Sequence, residues 1–253
     1  MWRSRNEVHR TILEEIKERR EQSNPAESDV LSRLMSVRDE AGQQLTDAEL
    51  LYFSMITLFN GYETTSSTLT WILYWIHHQP EIHDKLRDEI NALGANPDPI
   101  EIYRLPYLTA ICKETQRLCP VVVNGSGRIL KSPLQFMGYQ LEPGTQLIPS
   151  IYLTHMREDL YPQPQRFIPE RFLEKKYSQY EYFPFGGGHA ICSGLALAQT
   201  QMKLVLAVLM SRLQLALTNN RPIKTENVGA FLVTPQRDLQ MVVTEFKRLQ
   251  IQI

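Results

Sequence analysis

Cysteine is scarce in this sequence: Cys112, Cys119 and Cys192 are the only three in 253 residues. Their spacings form neither a disulfide framework nor a paired zinc knuckle, and they suit a reducing compartment. Long apolar runs are also missing. Residues 50–58 form an apolar-rich stretch too short to span a bilayer, and the first seven residues lead into a charged segment with no apolar signal region. A cytoplasmic protein without a membrane span is the expectation. Net charge is close to zero, since 27 Lys and Arg stand against 28 Asp and Glu. Such a balance supplies no bulk attraction to nucleic acid or to anionic lipid. Internal repeats and low-complexity segments are lacking too. What remains, 43% hydrophobic and 22% charged residues, is the composition of an ordinary globular chain.

The patterning predicts a mainly α fold with small β-sheets. Val8, Ile12 and Ile16 line one stripe of an amphipathic helix over 5–22. A polar break over 21–28 precedes a short helix over 29–36 that starts at Ser28 or Asp29, and a loop over 38–45 holds Gly42. Thr46-Asp47-Ala48-Glu49 has the form of a capping box, and no proline follows until Pro80. One long central helix is therefore expected over 46–79, crossing the core. Pro80 suits the first position of a helix over 80–93 that Gly94 ends. A further helix over 105–118 stops at Pro120. Residues 121–123, 128–130, 134–137 and 146–149 read as short strands. Residues 156–185 show no period and are rich in Pro, Tyr, Phe and Arg, which suggests an ordered loop with a task. A helix over 195–213 and a short β-rich tail complete the chain.

Three constellations could carry chemistry. Residues 183–194, Phe-Pro-Phe-Gly-Gly-Gly-His-Ala-Ile-Cys-Ser-Gly, lead straight into the helix at 195. A cysteine just before a helix N-terminus lies near unpaired N–H groups and the positive end of the dipole, which favour an anionic, metal-binding sulfur. The glycines let backbone approach a flat ligand. The competing reading is a buried structural cysteine beside a Gly-rich turn. A phosphate loop fits poorly, because the spacing is wrong and no Lys follows the glycines. The second constellation is Glu114-Thr115-Gln116-Arg117, whose ends are helix neighbours that can pair, although such pairs are common on solvated faces. Pro169-Glu170-Arg171-Phe172 offers a second guanidinium to the same carboxylate, and a bidentate Arg can clamp an irregular loop onto a helix. The third is Gly61-Tyr62-Glu63-Thr64-Thr65, an acid beside hydroxyls in mid-helix. That is costly unless solvated or used, and a solvated helix face is the alternative. Threonine hydroxyls can also bond back to earlier carbonyls.

In this order and at these separations, the three constellations resemble the cytochrome P450 family. The resemblance covers essentially the whole chain. The loop over 183–194 is its most specific part, while Glu-x-x-Arg and Pro-Glu-Arg-Phe are weak singly and strong jointly. Gly127-Arg128-Ile129-Leu130 is similar to the family's strand beside the haem. The soluble bacterial type, cyanobacterial members included, is the most similar.

The resemblance implies the C-terminal, haem-binding portion of that fold, with residues 1–253 as a single incomplete domain. The N-terminal half is then absent or supplied as a separate chain, and a half-domain of this kind would expose apolar interior surface. Haem b would be held by Cys192 as the axial iron ligand, with Phe185 packed near the sulfur and Gly186, Gly188 and Gly194 shaping the loop. Arg128 would contact a haem propionate. Glu63 and Thr64 would be the catalytic residues, relaying protons toward O2 beside Gly61. Glu114, Arg117 and Arg171 would form a structural triad. Val121, Val122, Val123 and Asn124 would line part of a substrate pocket. The implied reaction inserts one oxygen atom from O2 into a small apolar substrate. Its electrons come from NAD(P)H through an external ferredoxin or flavoprotein reductase. Two residues depart from the family pattern: Ala190 stands where Arg or His usually binds a propionate, and Asn60 replaces a small residue before Gly61. The alternatives are a non-catalytic remnant or interaction module that keeps the motifs, and a haem-based sensor, which would not need the Glu63–Thr64 relay.

Overall fold

The structure, a computed structural model, describes residues 2–21, 29–219, 221–228, 232–236 and 239–246. Among these the chain is mainly helical, with four two-stranded antiparallel sheets, the class that the patterning predicts. The chain divides into two compact units, residues 1–63 and 64–253.

The first unit holds α1 (Trp2–Glu21), α2 (Val30–Ser36) and the first half of α3 (Asp47–His78). On the predicted stripe of α1, Ile16 is fully buried, Ile12 is half-buried and Val8 is exposed. Arginine side chains tie the segments together. Arg19 donates to Asp29 (2.7 Å), and Arg20 donates to Asp47 (2.8 Å) and to the Leu45 carbonyl (3.0 Å). Asp29, rather than Ser28, caps α2 by accepting from the Ser32 N–H at 2.8 Å. Ser28 and the polar break over 22–28 lie outside the described residues. The capping box of α3 forms as its sequence predicts: Thr46 N–H donates to Glu49 (2.8 Å), and Glu49 N–H donates to Thr46 Oγ1 (3.3 Å). Along this part of α3, Tyr52, Leu58, Phe59 and Tyr62 are exposed.

The second unit takes the rest of α3 and adds α4 (Pro80–Asn91), α5 (Pro99–Arg104) and α6 (Pro106–Leu118). Pro80 opens α4 as expected, and Ile82, Leu86 and Ile90 recur every four residues on its buried face. Gly94, at φ 83, turns the chain beyond its end. Asp98 and Glu101 form a capping box on α5, a helix that is not among the elements expected between 80–93 and 105–118. Then follow β1 (Arg128–Ile129), β2 (Leu134–Phe136), β3 (Tyr139–Leu141), β4 (Gln146–Leu147), α7 (Ile151–His155), α8 (Arg171–Glu174) and α9 (Leu195–Arg212). The chain closes with β5 (Leu213–Leu217), β6 (Thr225–Val228), β7 (Leu232–Pro235) and β8 (Met241–Phe246). Strand β1 pairs with β4, β2 with β3, β5 with β8, and β6 with β7. Ile72, Ile76, Leu86, Leu108, Ile111, Met202 and Leu206 form the centre of one hydrophobic core, contributed by α3, α4, α6 and α9. Each such side chain contributes about 1.5–3 kcal/mol by leaving water.

Residues 121–123 are not the expected strand. The Val121 carbonyl accepts from Val233 N–H (2.8 Å), whereas the Val123 carbonyl accepts from Tyr152 N–H (3.1 Å). Carbonyls two residues apart thus serve two different segments, which interrupts any continuous ladder. The loop over 156–185 is ordered, with α8 as a single short turn of helix inside it.

Candidate functional site

The buried ionic cluster is the firmest part of the site. Helix α6 starts at Pro106, and its N-cap, Leu105, has no side-chain oxygen. Glu89 on α4 takes over that task, accepting from the N–H groups of Tyr107 (2.7 Å) and Leu108 (2.8 Å). Two turns further on, Glu114 and Arg117 share the inward face, both fully buried. Arg117 Nε and Nη2 grip the Glu114 carboxylate at 2.7 and 2.8 Å. The solvated-face reading of this pair therefore fails. Arg171 Nε (3.2 Å) and the Ile168 N–H (2.9 Å) complete the shell of Glu114, which fastens the irregular loop to α6. Arg117 also donates to the main-chain oxygens of His155 (2.9 Å) and Arg166 (3.2 Å), and it lies 5.1 Å from the centre of the Tyr161 ring.

The cysteine loop follows from this anchored segment. Phe185 is half-buried and packs against the hydrophobic core. Gly186 (φ 72) and Gly188 (φ 61) adopt left-handed backbone that a side chain would strain, and residues 188–190 form one 3-10 turn. The Cys192 N–H donates to the Phe185 carbonyl at 2.9 Å, closing the loop on itself. Cys192 is exposed. The structural-cysteine reading belongs instead to Cys112 and Cys119, whose thiols burial pushes up to about 12. Gly194 is the N-cap of α9 and supplies no side-chain acceptor, so the first-turn N–H groups of α9 have no cap from it.

The other predicted residues are placed as follows. Val121 is buried, Val122 and Val123 are half-buried, and Asn124 is exposed. Arg128 is exposed, and its guanidinium turns back to the carbonyls of Ser126 (3.3 Å) and Gly127 (3.1 Å). Glu63 and Thr64 are half-buried neighbours on α3, which passes Gly61 without interruption. Open space lies beside Gly61, with no heavy atom within 4 Å of where its Cβ would be. Beyond Thr64 the polar stretch is buried at Thr65, Ser67 and Thr68, and the Thr68 hydroxyl donates back to the Thr64 carbonyl at 2.8 Å.

The family model for cytochrome P450 matches residues 1–242. The chain belongs to the cytochrome P450 family. Among its relatives, a putative cytochrome P450 135B1 of Mycobacterium tuberculosis is 34% identical over 213 residues, 84% of this chain and 44% of that protein. Cytochrome P450 3A56 of Fundulus heteroclitus is 30% identical over 240 residues, 90% of this chain and 48% of that protein. A retinoic acid-bound cyanobacterial P450, CYP120A1, superposes with a TM-score of 0.85 at 30% identity, covering 95% of this chain and 56% of that one. This P450 chain thus spans about half the length of the curated relatives it matches, and it carries part of the P450 fold. No helix among its described residues is long and apolar enough to cross a membrane.

The residues of the loop fit the haem that the P450 family implies. No heavy atom lies within 4 Å of where side chains on Gly187 and Gly188 would begin, and Ile191 and Cys192 are exposed beside them. An open, glycine-lined backbone next to an exposed thiol is a cradle for a flat ligand with a metal at its centre. Sequence reasoning missed two supports of this P450 site, Glu89 and His155. Neither belongs to a local motif, since each acts on residues distant in the sequence.

Proposed function

We propose that this chain carries the haem-thiolate portion of a monooxygenase that inserts one oxygen atom from O2 into an apolar organic substrate. The observation that carries the reading is an exposed Cys192 at the end of a glycine loop with left-handed turns at Gly186 and Gly188, next to the N-terminus of α9. Cys192 would hold the haem iron through its sulfur. Phe185, Gly186, Gly188 and Gly194 would shape its surroundings, and the exposed Arg128 would supply the charge for a propionate on leaving the Ser126 and Gly127 carbonyls it now bonds. When bound, thiolate-ligated haem supplies the chemistry that activates O2, because the sulfur pushes electron density toward the iron. Glu63 and Thr64 hold and move protons at the carboxylate and at Oγ1. The half-buried Val122 and Val123 give the substrate an apolar wall, with Asn124 at its edge. Electrons come from NAD(P)H through an external ferredoxin or flavoprotein, and the remainder of the P450 fold, on the same protein or on a separate chain, completes the pocket.

A second reading, a module that keeps the motifs without turnover, draws on Ala190, whose methyl group offers a propionate nothing. The experiment that separates them is a carbon monoxide difference spectrum of the reduced, haem-reconstituted chain. A red-shifted thiolate Soret band supports the monooxygenase reading. Absence of haem uptake, or only the shorter-wavelength band of a lost thiolate, refutes it for this chain.

A further inference from the structure

One buried histidine joins the two halves of the site, and no motif includes it. His155 ends α7 with its ring fully buried. The ring stacks on Tyr182 (centroids 5.3 Å apart, planes at 18°) and meets the edges of Phe183 and Tyr161. Its main-chain oxygen accepts from Arg117 Nη1 at 2.9 Å, while its Nε2 lies 3.2 Å from the Phe183 nitrogen and accepts that N–H. A neutral imidazole accepting at Nε2 carries its proton on Nδ1. That Nδ1 is buried and has no hydrogen-bond partner among the described residues. A buried N–H left unpaired is costly, so such a group in a packed interior requires an explanation. An apolar ring of the same shape would remove the cost at Nδ1 but would leave the Phe183 N–H without its acceptor. The same burial holds the imidazole's pKa down to about 4, which keeps the Nε2 lone pair free at neutral pH.

From Phe183 the connection continues into the loop. The Phe183 carbonyl accepts from Gly186 N–H (2.9 Å), and the Phe185 carbonyl accepts from Cys192 N–H (2.9 Å). We infer that His155 is a positioning residue that carries the fixed geometry of the Glu114–Arg117 pair to the cysteine loop through its Nε2 bond to Phe183, and so sets where the Cys192 sulfur stands. The haem-related part of this inference rests on Cys192 being the iron ligand; the hydrogen-bond part does not.

The test uses the full chain and two variants. His155→Phe keeps a stacked ring and loses the acceptor, whereas His155→Gln keeps an acceptor oxygen near the position of Nε2. In the haem-free chain, hydrogen exchange at the Phe183 amide is expected to quicken about tenfold in His155→Phe and to stay within about threefold of wild type in His155→Gln. In the haem-loaded chain, His155→Phe is expected to move reduced, CO-bound protein toward the lost-thiolate band, and His155→Gln to restore the thiolate band. Equal behaviour of both variants, whether both normal or both impaired, overturns the inference, because then ring packing and not the acceptor matters. Should His155→Phe not fold, imidazole 15N chemical shifts of the wild-type chain decide: an Nδ1–H tautomer supports the inference and an Nε2–H tautomer overturns it. A wild-type chain without any thiolate band defeats the haem reading, and the exchange and tautomer measurements still decide the role of His155.

Discussion

Replacing Glu114 by Gln is a demanding test of how the site is held. In the native chain one carboxylate accepts from Arg117 twice, from Arg171 and from the Ile168 N–H, with no solvent to share the load. Glutamine retains one oxygen. With that oxygen facing Arg117 Nη2, Arg171 and Ile168, its amide NH2 faces Arg117 Nε, donor against donor. Two guanidinium groups then remain buried without their counter-charge, and breaking a buried ion pair from one side costs about 3–5 kcal/mol. A lost charge-assisted hydrogen bond alone costs about 1.5–3 kcal/mol, but the two figures describe one event and do not add. The expected destabilisation is about 4 kcal/mol, a large share of the roughly 5–15 kcal/mol that holds a typical domain. Urea unfolding followed by tryptophan fluorescence suits the measurement. Trp75 stacks on Phe167 with centroids 5.1 Å apart, beside the Ile168 that Glu114 holds. Arg157→Ala, which opens an exposed pair with Asp159, serves as the control and should leave the midpoint unchanged. If Glu114→Gln shifts the midpoint no more than that control, the clamp is not what fastens the loop.

Cys192→Ala should abolish thiolate-type haem ligation while leaving the urea midpoint within error, because the side chain is exposed; an unchanged spectrum would remove Cys192 from the site. Gly186→Ala forces a side chain into backbone at φ 72 with its Cβ 3.3 Å from the Ala190 carbonyl oxygen. It should cost about 1–3 kcal/mol and lower haem uptake in a titration; equal uptake would show that the loop tolerates another path. Asp98→Ala removes the acceptor of the Ile100 N–H and should cost about 1 kcal/mol in the same unfolding assay, without moving the haem spectrum. Stability should also depend on pH through His155, whose pKa lies at about 4 in the folded chain against 6.5 when unfolded. As pH falls below 6.5 the unfolded chain takes up the proton first, so stability present at neutral pH is lost progressively down to about 4. Between pH 7 and pH 5 the loss amounts to about 2 kcal/mol, and it should vanish in His155→Gln; an identical slope in that variant would assign the loss elsewhere.

The sequence by itself determined the parts whose causes are local. The capping box at Thr46, the proline that opens α4, the glycine beyond its end and the four-residue recurrence of Ile82, Leu86 and Ile90 all act within one or two turns, so they can be read in order along the chain. The cysteine loop was legible for the same reason, since its glycines and its place before a helix are neighbours in sequence. Tertiary structure decided which of these features were buried and what they touched. Glu114 and Arg117 read equally well as a surface pair until α6 is packed and the loop around Ile168 and Arg171 is folded over them. Residues 121–123 have the composition of a strand, yet their carbonyls are drawn to Val233 and Tyr152, and strand pairing depends on which partner arrives. Glu89 caps a helix 18 residues away, and His155 reaches Phe183 across 28, so neither leaves a periodic signal. A side chain that works on a distant backbone has its role set by the fold that brings the two together, and only the packed chain reveals it.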